Sequence, residues 1–92
     1  MNEKKVSVTI GSAISVDPTS IQVKKNQDNV KWTNDAGIVF GIDIPGYPQP
    51  QCRVEGTKYV CVSGTFPNEG TIKYDVTSPG IPTLDPDLEV IP

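Results

Sequence analysis

Apolar and polar residues alternate with a period of two along most of the chain, and that period belongs to β-strands with one buried face. Val6, Val8 and Ile10 alternate with Lys5, Ser7 and Thr9, predicting a first strand that closes at Gly11–Ser12. Ile14 and Val16 form a second run, stopped at Asp17–Pro18, because proline cannot donate to a ladder. Ile21 and Val23 form a third run before the polar turn Lys24–Asn29. Val30 and Trp32 then alternate with Lys31 and Thr33 as far as a second turn, Asn34-Asp35-Ala36-Gly37. Ile38, Phe40, Ile42 and Ile44 predict a long central strand ended by Pro45–Gly46, with Trp32 and Phe40 in the core.

Tyr47-Pro48-Gln49-Pro50-Gln51 reads as an extended loop, since the residue before a proline is steered away from helical backbone. Gln51–Val54 and Tyr59–Val62 bracket Glu55-Gly56-Thr57-Lys58, a four-residue hairpin connection. Ile72, Tyr74 and Val76 predict a further strand. Ser78-Pro79-Gly80-Ile81-Pro82 turns the chain, and Leu88 and Val90 make a last strand. Seven or eight short strands with regularly spaced turns are the signature of a β-sandwich or barrel. No window carries a helical apolar stripe.

Composition agrees with that reading. Nine Pro and eight Gly in 92 residues, with Val, Ile and Thr common, are an all-β balance. A chain of this length makes a single domain, residues 1–92, with one modest core. The net charge is −3, from 8 basic and 11 acidic residues that are scattered rather than blocked. The Lys4–Lys5 and Lys24–Lys25 pairs are too short for a nucleic-acid footprint, so no nucleic-acid partner is expected. No stretch approaches the ~18 apolar residues of a membrane span. Met1-Asn-Glu-Lys-Lys5 runs straight into a strand with no apolar signal region, which leaves two readings: no secretory signal, or one already removed.

Cys52 and Cys61 are the only thiols. Hairpin register sets Val54 opposite Tyr59 and Cys52 opposite Cys61, and directly opposed residues lie ~4.5–5.5 Å apart at Cα, within disulfide reach. Closing a loop of about ten residues stabilises by roughly 2–3 kcal/mol on the chain-entropy model. A structural disulfide is the first reading, and it favours a periplasmic, cell-envelope or secreted location. A reduced, buried pair is the second. A metal or redox site is the third, though two Cys without His or C-x-x-C make half a site.

The chain contains no His, and with it the commonest general base and transition-metal ligand are missing. Ser–His and Cys–His nucleophilic arrangements are excluded as usually built. No G-x-G-x-x-G, P-loop or EF-hand spacing occurs. Asp85, Asp87 and Glu89 share one side if their segment is extended, and form either an oxygen-ligand cluster or a solvated charged edge. Asp35 reads as a turn residue and Asp43 as a surface charge. The protein is therefore read as non-enzymatic, with no cofactor.

Val16–Asn34, with its Val30-Lys-Trp-Thr-Asn34 strand, resembles the N-terminal half of cupredoxins, the blue-copper β-sandwich family. Ala36–Phe40 followed by Ile44-Pro-Gly46 is similar to the plastocyanin-type continuation, and Gly70–Gly80 with Leu88-Glu-Val90 to the C-terminal segment and final strand. The resemblance implies a seven- to eight-stranded Greek-key sandwich. It does not carry the copper ligands. Ile38-Val39 stands where the first His belongs, and Asp75 where the Cys thiolate belongs. No second His lies near Pro79–Gly80, the Met loop reads Thr83–Asp87, and the only Met is Met1. Blue copper requires two His and a Cys, so the resemblance implies the scaffold without its metal chemistry.

The expected function is a metal-free binding or structural module with an unidentified protein partner. Its candidate surface is built of the loops Asp35–Gly37, Tyr47–Gln51 and Pro79–Pro82, with Asp35, Tyr47, Pro79 and Ile81 as contact residues. Tyr47 reads either as an exposed anchor or as a ring packed over the sandwich edge. The alternative is an immunoglobulin-like adhesion or accessory domain, although the Cys spacing is short for an inter-sheet bridge. Strand pairing separates the two, because cupredoxins mix parallel with antiparallel pairs and immunoglobulin domains are nearly all antiparallel. If Cys52 and Cys61 are bonded, alkylation of the unreduced protein leaves its intact mass unchanged; the gain of two alkyl groups would refute the bond.

Overall fold

The computed structural model describes residues 2–92. Eleven strands and no helix occur among them: β1 (Glu3–Ile10), β2 (Ile14–Asp17), β3 (Ser20–Lys24), β4 (Asn29–Asn34), β5 (Gly41–Asp43), β6 (Gln51–Glu55), β7 (Lys58–Val62), β8 (Gly70–Lys73), β9 (Asp75–Ser78), β10 (Ile81–Leu84) and β11 (Asp87–Ile91). They form a five-stranded sheet in the order β2-β1-β4-β7-β6, and two three-stranded sheets, β3-β11-β8 and β10-β9-β5. The fold is all-β and sandwich-like.

Period-two alternation explains which face each strand buries. Val6 and Val8 on β1, Val30 and Trp32 on β4 and Cys61 on β7 turn inward from the five-stranded sheet. Ile21 and Val23, Leu88 and Val90, Ile42 and Val76 meet them from the two smaller sheets, in one continuous core. Strands β8 and β9 are one run interrupted at Tyr74, whose N–H donates to the Pro86 carbonyl (3.0 Å) instead of to a ladder. The interruption lets that run pair with β11 before Tyr74, and with β5 and β10 after it. β1–β4 and β3–β11 are parallel, and all other pairs are antiparallel.

Three local expectations are corrected. Ile38–Ile44 is not one long strand; only Gly41–Asp43 pairs, and Ile38 and Val39 are exposed. Side chains occupy their backbone: Asn34 Oδ1 accepts from the Ile38 N–H (2.9 Å), and Ser78 Oγ donates to the Val39 carbonyl (2.8 Å). The hairpin connection has two residues rather than four, since Glu55 pairs with Lys58 and Gly56 takes φ +64°, a value suited to glycine. Ile81 and Pro82 lie in β10 rather than in a turn. β10 is an outer strand with a register shift between Ile81 and Leu84, a setting that tolerates a proline. The extra strand β10 and the break at Tyr74 add two to the nine alternating runs of the sequence, giving eleven strands where seven or eight were expected.

The two layers are tied at one polar contact inside the core. The fully buried Trp32 donates its indole N–H to the Tyr74 hydroxyl (3.2 Å), and the rings pack at 5.3 Å between centroids with a 60° tilt. Burial pushes the Tyr74 pKa above its ordinary 10.0, against the Trp32 hydrogen bond, and the Asp87 charge adds to the rise. At the β3–β4 turn, the buried Asp28 accepts the Lys24 N–H on Oδ2 (2.9 Å), while its Oδ1 has no protein partner. Tyr74→Phe strands a buried indole donor and is expected to cost about 1–3 kcal/mol in denaturant unfolding. A folded-state pKa above the unfolded one gives stability that is complete below pH 10.0 and lost as pH rises through the folded value, so Tyr74→Phe should also flatten the alkaline fall in stability.

Candidate functional site

The hairpin register places Cys52 opposite Cys61, and the two are bonded, with Cα atoms 4.0 Å apart. The pair is asymmetric: Cys61 is fully buried, with its sulfur 3.8 Å from the Phe40 carbonyl oxygen, and Cys52 is exposed. All five residues of β6 are exposed, because the smaller sheets do not reach beneath that outer strand. On its outward face Glu55 accepts from Lys31 (3.0 Å) and Arg53 (2.9 Å). Those two bonds, Lys31 first, hold the Glu55 carboxyl below its ordinary pKa range.

The predicted contact residues separate into two ends. β5 lies opposite β9 with Gly41 across from Thr77 and Asp43 across from Asp75, so the loops flanking β5 leave in opposite directions. At the Gly41 end are the Asn34–Gly37 turn, the Val39–Ser78 contact and the Pro79–Gly80 turn. Asp35 is exposed there, 3.5 Å from Lys58, and Pro79 is exposed. Ile81 is half-buried against the core.

Tyr47 lies beyond the Asp43 end. It is half-buried, its ring set edge-on to Phe66 at 5.3 Å and its N–H donated to the Ile44 carbonyl (3.1 Å). Of the two readings of Tyr47, the packed ring is the observed one. With Phe66, Gln51 and Arg53 it borders an open groove of about 400 Å³.

Sequence reasoning missed the apolar part of the Gly41 end. The large hydrophobic side chains exposed among the described residues are Ile38 (39 %), Val39 (53 %) and Val54 (71 %). Chain order and register link them to one aromatic pair: Val39 precedes Phe40, Val54 lies opposite Tyr59, and the two rings meet edge-on at 5.4 Å. The signal that points to Ile38 and Val39 is Asn34, a buried amide directly before a turn. Its Oδ1 accepts the Ala36 and Ile38 N–H groups, and its Nδ2 donates to the Val8 carbonyl. One side chain thus holds the turn to β1 and uses the backbone that strand continuation needs.

Among the described residues, no three or more His, Cys, Asp or Glu side chains gather where they could hold a metal ion. Asp87 and Glu89 lie on β11, where Glu89 accepts from Gln22 (2.9 Å), and Asp85 precedes that strand. Asp43 is exposed and accepts from Gln49 (2.8 Å). Of the positions where the resemblance expects copper ligands, Ile38-Val39 are exposed, Asp75 lies opposite Asp43, Pro79–Gly80 form a turn, and Thr83–Asp87 run from β10 into β11; Met1, the chain's single Met, lies outside the described residues. Among the described residues, no helix is long and apolar enough to cross a membrane. In comparisons with known proteins, the chain matches no family model and no curated protein.

Gly37 brings the turn against the hairpin tip. A Cβ there would sit 2.8 Å from the Thr57 carbonyl oxygen, on backbone with φ +74°. Gly37→Ala is therefore expected to lose about 1–3 kcal/mol of unfolding free energy. Gly46→Ala, at φ +81° with open space around it, should lose less; equal losses would refute the close-approach argument.

Proposed function

We propose that the protein is a non-catalytic, metal-free, cupredoxin-like module that works by contact through the Gly41 end of its sandwich. The observation that carries the reading is the exposure of Ile38, Val39 and Val54, which neighbour the packed Phe40–Tyr59 pair in chain order or strand register. Scattered exposed apolar residues are ordinary, whereas a local group of them on a small domain marks an interaction surface. Asp35 and Pro79 are exposed at the same end, so part of the loop surface read from sequence remains in the proposal. Tyr47 drops out of it, because its ring is spent on Phe66.

The cupredoxin likeness draws support from strand pairing. Two parallel pairs, β1–β4 and β3–β11, accompany the antiparallel ones, which favours that pattern over the immunoglobulin type. A Greek-key arrangement of the seven- or eight-stranded family pattern belongs to the same proposal. The bonded cysteines fit an oxidising compartment such as the periplasm, the cell envelope or the exterior.

Two measurements test this function. Titration with copper should produce no intense visible band; a strong blue absorption would overturn the metal-free reading. A photo-crosslinking side chain at position 39 should trap a partner, and one at position 47 should trap none. Trapping from position 47 alone would move the surface to the wrong end.

A further inference from the structure

We propose that the occupant of this surface is a second copy of the chain, joined edge to edge along β6 into one continuous ten-stranded sheet. The inference rests on the contact-module reading, and it adds the partner and the register. β6 ends the five-stranded sheet, with β7 on one side and no strand on the other among the described residues. Which backbone groups face the empty side follows from the turn. A two-residue connection makes Glu55–Lys58 the hydrogen-bonded closing pair, and bonded pairs alternate along an antiparallel ladder. Arg53 therefore bonds to β7, while Cys52 and Val54 direct their N–H and C=O outward. The 4.0 Å Cα separation of Cys52 and Cys61 is the short spacing of a non-bonded pair, and agrees. Four unpaired backbone groups thus lie along an exposed edge, the template on which another strand pairs.

Symmetry and side-chain chemistry select one register. Two identical antiparallel strands related by a two-fold axis keep their faces only if some residue lies opposite itself. Centring on Arg53 sets like charges against each other and turns bonded groups toward the partner, so it fails. Centring on Cys52 sets Val54 opposite the partner's Pro50, which has no N–H to donate. Centring on Val54 stacks the most exposed apolar side chain on its own copy, with Cys52 opposite the partner's Gly56. The same register sets Arg53 opposite the partner's Glu55, and Glu55 opposite the partner's Arg53. Glu55 holds Lys31 on Oε1 and Arg53 on Oε2, and a carboxylate has lone pairs enough to keep Lys31 while taking the partner's guanidinium. Val54 shares its face with Cys52, and both are exposed on it. A five-residue edge buries little area, so the dimer is weak and concentration-dependent.

The test uses the intact, oxidised chain. Sedimentation equilibrium up to about 1 mM should show a reversible monomer–dimer equilibrium, and Val54→Lys should hold the chain monomeric throughout. Under mild oxidation Val54→Cys should give a covalent dimer whose peptide map shows the two introduced thiols joined to each other, with Cys52–Cys61 intact. Arg53→Cys, whose own copy is diagonal at about 7–8 Å, should link far more slowly. Unchanged circular dichroism keeps the variants comparable. A wild-type chain that stays monomeric overturns the proposal, as does a dimer indifferent to Val54→Lys; faster linking through position 53 overturns the register. If the wild type is monomeric while position 39 traps a different protein, the self-pairing fails and the contact module stands.

Discussion

The hydrogen bond from Trp32 to Tyr74 is the contact on which the layers of this protein depend. Trp32 lies on the central strand of the five-stranded sheet, and Tyr74 at the break where one run of chain passes between the two smaller sheets. Tyr74 must leave the ladder for β8 and β9 to take different partners, and its N–H is then satisfied by Pro86. A buried polar side chain costs free energy unless paired, so the indole N–H and phenol oxygen specify each other's position as well as filling space. Among the described residues, the buried side-chain oxygen that has no protein partner, Asp28 Oδ1, belongs to the β3–β4 turn rather than to this pair.

Around the core, side chains rather than ladders decide where strands stop. Asn34 and Ser78 both bond to the backbone of the 38–39 segment and deny it a sheet partner, while Ser63 accepts from the Val30 N–H (2.9 Å) within the five-stranded sheet. The outcome at the Gly41 end is functional in kind: two apolar residues that period-two reasoning assigns to a strand are turned out to solvent. At the edge of the five-stranded sheet β6 is exposed along its length and is clipped to β7 by Cys52–Cys61. A strand with no apolar face to bury has little else to hold it flat. The disulfide substitutes for packing where packing runs out, and it does so beside the edge on which self-pairing is proposed.

Much of the architecture was legible in the chain because alternation, turn chemistry and hairpin register are local. The places of β1 to β4, the last strand, the burial of Trp32 and Phe40 and the facing of Cys52 and Cys61 all follow from residues close in sequence. Tyr47 shows where that logic ends. A Tyr between Gly and Pro is equally suited to solvent and to a neighbour, and the neighbour, Phe66, is nineteen positions away, from 47 to 66. The same holds for the contact residues as a set. Asp35 and Pro79 fall at one end and Tyr47 at the other because β5 runs antiparallel to β9, a pairing between segments more than thirty residues apart, as from 42 to 76.

Residue order alone therefore settles the all-β class, most of the inward residues, the facing of Cys52 and Cys61 and the lack of imidazole for metal or nucleophilic chemistry. Long-range packing was needed to leave Ile38, Val39 and Val54 uncovered, to give β6 an open edge, and to divide the loops between two ends. The physical reason is range. Which face a strand buries depends on its own alternation, but whether anything covers that face depends on how far the opposing layer extends.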